Sequence, residues 1–77
     1  MSEYIYLILN NNDKIEILKA RIKNNESLIY GTKINILEYQ AQNPIDQSLI
    51  DFANQDIENC LINIGILKGI LAEIEAN

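Results

Sequence analysis

The chain has 77 residues, enough for one small domain. Sixteen Ile and nine Leu stand beside a single Cys and no Val, His or Trp, which leaves no imidazole base, no His metal ligand, no disulfide framework and no Cys-based zinc site. The net charge of -5 is unevenly spread. Residues 1–43 balance Lys14, Lys19, Arg21, Lys23 and Lys33 against Glu3, Asp13, Glu16, Glu26 and Glu38. Residues 44–77 set only Lys68 against Asp46, Asp51, Asp56, Glu58, Glu73 and Glu75. Such a balance disfavours long nucleic acids and anionic lipid as partners.

Residues 1–10 come first and are ambiguous. Tyr4 to Leu9 is apolar but about a third of the roughly 20 residues that a spanning helix needs, and no basic leader accompanies it, so the reading is a soluble, cytoplasmic protein with no membrane partner. Tyr4 and Ile8 fit a helical stripe, while Tyr4-Ile5-Tyr6-Leu7-Ile8 would also suit a strand. A lone strand has nothing to pair with, so a short helical segment folding against the rest is the preferred reading.

The polar run Asn10-Asn11-Asn12-Asp13, with Asp13 and Glu16 three apart, predicts a first long helix over 13–42. Ile8, Ile15, Ile22, Ile29 and Ile36 recur every seven residues as a positions, and the d positions are Leu18, Asn25, Thr32 and Tyr39. The polar d residues, with Asn24 and Gly31 nearby, predict a helix kinked near 24–31, bent in preference to broken. Alternatively, Asn25 fixes register as a buried polar residue does in some coiled coils.

Asn43 as N-cap and Pro44 at the first helical position predict a second long helix over 44–76. Its seam is unbroken: Ile50, Ile57, Ile64 and Leu71 at a, with Ala53, Cys60, Leu67 and Ile74 at d. A short connection makes the two helices antiparallel neighbours. The expected fold is therefore all-α, a single helical domain over 1–77: an antiparallel hairpin with a short N-terminal helical segment, assembling into a helical bundle.

Assembly follows from surplus apolar surface. Phe52, Ile62, Ile66 and Ile70 lie outside the a/d seam of the second helix, beside Gly65 and Gly69, whose four-residue spacing would let another helix approach. Homo-oligomerisation through these residues is the preferred reading. Cover by the N-terminal segment, and a groove for a different protein, are the alternatives.

Nothing in the chain assembles into a catalytic set, and no cofactor or metal site is expected. Glu73 and Glu75 belong to a solvated helix end, and Asp56 and Glu58 have no base, nucleophile or metal-ligand set beside them. Cys60 occupies a d position and reads as a structural thiol. The three glycines are isolated, so no phosphate-cradling loop exists. The function expected is non-enzymatic: a small oligomerising helical protein that acts by binding, as a protein-interaction regulator or inhibitor.

An alternative rests on the first helix. At about 100° per residue, Lys19, Lys23, Tyr30 and Lys33 fall along one edge with Glu26 among them, and Tyr4 reaches that edge if the N-terminal segment folds back or comes from another subunit. Ammonium groups beside Tyr rings suit a small anionic ligand with an aromatic base. An ordinary solvated Lys face, paired with Glu16 and Glu26, is the plainer reading. In this layout the chain resembles the anti-CBASS sponges, small phage proteins that sequester cyclic nucleotide signals. The resemblance implies a phage-type oligomer that binds a nucleotide without turning it over, with Tyr4 stacking on a base and Lys19 holding phosphate.

Overall fold

A computed structural model describes residues 9–76, which form two long helices. Helix α1 spans Asn11–Gln40 and α2 spans Gln47–Ala76. They pack against each other as an antiparallel hairpin, and the chain measures 57 × 30 × 15 Å. The smallest dimension is little more than one helix diameter, so the hairpin is a single layer.

Helix α1 starts two residues before Asp13. Asn10 has extended backbone angles, its side-chain oxygen accepts the Asp13 amide at 2.8 Å, and its carbonyl accepts the Lys14 amide at 3.1 Å. It is the N-cap, and Asp13 is the third helical residue, where its carboxylate complements the positive end of the helix dipole. The cap is thus Asn10, and not the expected Asp13–Glu16 pair. The helix ends at Gln40 instead of 42, with the Ala41 amide shared between the Leu37 and Glu38 carbonyls at 3.2 Å each. Residues 24–31 lie within an uninterrupted helix, so a break there is overturned. Gly31 and the Asn pair are carried by the helix on either side and by the packing of its inner face.

The second boundary moves further. Six residues, 41–46, connect the helices, and Asn43 and Pro44 belong to this connection and not to α2. Asp46 takes the capping role: its Oδ1 accepts the Ser48 amide at 3.0 Å and the Ser48 hydroxyl at 2.6 Å. A cap at Asn43 would have left these groups without their carboxylate acceptor. The Ser48 hydroxyl, with the Ser48 and Leu49 amides, holds the Asp46 carboxyl below its ordinary value, against a smaller opposing effect of desolvation. The proposed N-terminal helical segment lies mostly outside the described residues, and Leu9 and Asn10 are not helical.

The seam follows the heptads closely. Leu18, Ile22, Ile50, Ala53 and Ile64 are buried, and the remaining described a and d residues are half-buried, including Asn25, Thr32 and Tyr39. Cys60 is a free, half-buried thiol within this seam. A polar d residue is tolerated because one layer of two helices leaves its seam open at both sides. Asn25 spends its amide within α1, donating from Nδ2 to the Arg21 carbonyl at 2.9 Å. This hydrogen bond lies within α1 and does not link the two helices.

Candidate binding faces

Antiparallel packing sorts the positions that flank the seam. In such a pair, g residues of one helix border g residues of the other, and e borders e on the opposite side. Three grooves run along the g side. The first is lined by Lys14, Ile17, Leu18, Ile70 and Ile74, the second by Arg21, Asn24, Asn25, Asn63, Ile66 and Leu67, and the third by Leu28, Thr32, Asp56, Asn59, Cys60 and Asn63. Every lining residue occupies c, d or g. Each groove is lined by d residues of both helices: Leu18 with Ile74, Asn25 with Leu67, and Thr32 with Cys60.

The hairpin therefore has two unlike faces. The groove face carries Ile17 and Leu28 from α1 and Leu49, Phe52, Ile66 and Ile70 from α2, all exposed, with Phe52 at 70%, Leu28 at 61% and Ile66 at 59%. Asn24, Asn35, Asn59 and Asn63 separate these apolar groups. Charge is sparse and divided by helix: the α1 side holds Lys14, Arg21 and Glu38, and the α2 side holds Asp56 and Glu73. The opposite face is formed by b and e positions. It carries Glu16, Lys19, Lys23, Glu26 and Lys33 from α1 and Asp51, Glu58, Lys68 and Glu75 from α2. Tyr30, Leu37 and Leu61 are its large exposed apolar groups.

The residues expected at an interface divide between these surfaces. Phe52, Ile66 and Ile70 lie on the groove face. Ile62 and Gly69 occupy f, the outer edge, and Gly65 occupies b on the charged face. A side chain at either glycine would meet nothing within 4 Å, so the pair borders open space on the hairpin surface. The α1 contributors Ile17 and Leu28 were missed from the sequence. Their c and g positions were the available signal, but it acquires meaning only when the register aligns them with c and g of α2.

The expected ligand residues Lys19, Lys23, Tyr30 and Lys33 are all exposed and share the charged face. None lines a groove described above. Tyr4 lies outside the described residues. Among the described residues, no group of His, Cys, Asp and Glu is placed to hold a metal ion, and no helix is long and apolar enough to cross a membrane. No protein-family model, curated protein or solved structure matches the chain.

Proposed function

We propose that this chain acts by binding and not by catalysis, as a self-associating helical hairpin that regulates or inhibits another protein. The observation that carries this reading is the row of exposed Ile, Leu and Phe side chains that both helices contribute to one face of a single-layer hairpin. A patch of that kind, rimmed by amides and few charges, is what helix-in-groove recognition uses. Light scattering over a concentration series tests it: mass rising from one chain to a defined oligomer is the expected result, and a monomer throughout contradicts it.

A second reading rests on the common face of Lys19, Lys23, Tyr30 and Lys33, which together offer ammonium groups and an aromatic ring to a small anionic nucleotide. It is the reading to which the resemblance to anti-CBASS sponges leads. It predicts a dose-dependent rise in melting temperature with one member of a panel of mono- and cyclic nucleotides, abolished by Lys19→Ala. No shift across the panel would sink it.

A further inference from the structure

We infer that the groove face is the seat of a second copy of this chain, docked so that α1 of one copy lies over α2 of the other. This deepens the self-association reading and rests on it. Size supports this occupant. Two helices of about 45 Å, each about 10 Å across, present a face of roughly 900 Å². A specific interface buries about 800 Å² on each partner. A single short peptide helix would leave one half of that face uncovered.

Charge selects among the ways in which two such faces can meet. Over its whole length α1 has a net charge of +1, from five basic and four acidic residues, whereas α2 has -4, from one basic and five acidic residues. The groove face shows the same signs, with two basic residues and one acidic on α1 and two acidic on α2. Turning one copy end over end would lay α2 against α2 and bring like charges together. A two-fold axis parallel to the helices instead lays α1 against α2 at both contacts. Each helix then has two antiparallel neighbours of opposite charge, which also opposes their dipoles favourably. The g positions come closest to the bundle centre in this arrangement, so Leu28 lies across from Asn63 of the partner subunit. The charged face stays outside.

Two variants on exposed positions test the face without touching the seam. Ile66→Asp is expected to weaken self-association at least tenfold, and Leu61→Asp, on the opposite face, to change it less than twofold, with helicity equal to wild type for both. Mass is read by sedimentation or light scattering. Orientation is tested in a Cys60→Ser background by oxidising chains with Leu28→Cys, chains with Asn63→Cys, and an equal mixture. The Leu28–Asn63 heterodisulfide is expected to form in the mixture faster than the cross-link of either variant alone. A wild-type monomer at every concentration overturns self-association altogether. Assembly lost with Leu61→Asp but kept with Ile66→Asp leaves self-association standing and overturns the face. Cross-linking of Leu28→Cys chains with no heterodisulfide in the mixture, or an assembly other than a dimer, overturns the arrangement.

Discussion

Asn25 of α1 and Leu67 of α2 line the same groove beside the hairpin seam, both at d positions. The amide of Asn25 turns away from this neighbour to the Arg21 carbonyl of its own helix. The Asn25 side chain therefore contributes little to joining the helices. Replacing it by Leu extends the apolar seam in the groove that Leu67 also lines, and partial burial of the new side chain stabilises the hairpin by about 1 kcal/mol. Urea unfolding of Asn25→Leu checks this through a higher midpoint, and a lower one would show that the amide matters to the seam.

Ile64 and Ile62 are two residues apart on α2 and differ in environment, buried at a and exposed at f respectively. Ile64→Ala should cost about 2–3 kcal/mol, the lower part of the range for core truncation, because even the innermost positions of this hairpin lie close to solvent. Ile62→Ala should stay within about 0.5 kcal/mol of wild type. Equal costs for the two would contradict the assigned seam.

The start of α1 offers a test between neighbouring caps. Asn10→Ala removes the acceptor of the Asp13 amide and should destabilise by about 1 kcal/mol. Asp13→Ala removes only a favourable charge near the dipole and should cost less, about 0.5 kcal/mol. Thermal melts at low salt separate them, and the reverse order would move the cap to Asp13.

Asp46 makes the start of α2 sensitive to acid. Its carboxyl is held below the ordinary 3.8, chiefly by the Ser48 hydroxyl. A carboxyl lowered in the folded state stabilises that state fully above its unfolded value, and the contribution disappears as pH falls through the lowered folded value. Asp46→Ala should therefore melt below wild type at neutral pH, with the gap closing on acidification. Asp46→Asn keeps a capping oxygen that does not titrate. Its advantage over Asp46→Ala should persist at low pH. A wild-type gap that is constant with pH would remove the carboxylate from the cap.

Much of the hairpin was legible because the seam is a local property. The sevenfold recurrence of Ile15, Ile22 and Ile29, and of Ile50, Ile57 and Ile64, marks an inner face on each helix whatever the other helix does. Even the polar Asn25 and Thr32 take their heptad places. The helix ends were harder to read, because Asn10, Asp13, Asn43 and Asp46 are all competent caps by residue type. The choice between them was made by which oxygen reaches an unpaired amide.

The sequence by itself determined the composition that leaves no imidazole or disulfide chemistry, the two apolar stripes and the division of charge between the helices. Periodicity and charge are carried by each segment alone, so no partner is needed to read them. Tertiary structure alone decided that Leu28 and Asn63 share a groove, and that Ile17 and Leu28 of α1 stand on one face with Phe52, Ile66 and Ile70 of α2. Those relations depend on the relative rotation and register of two helices whose contacts are far apart in the chain. A single stripe leaves the identity of its flanking neighbours open until the second helix is laid against it.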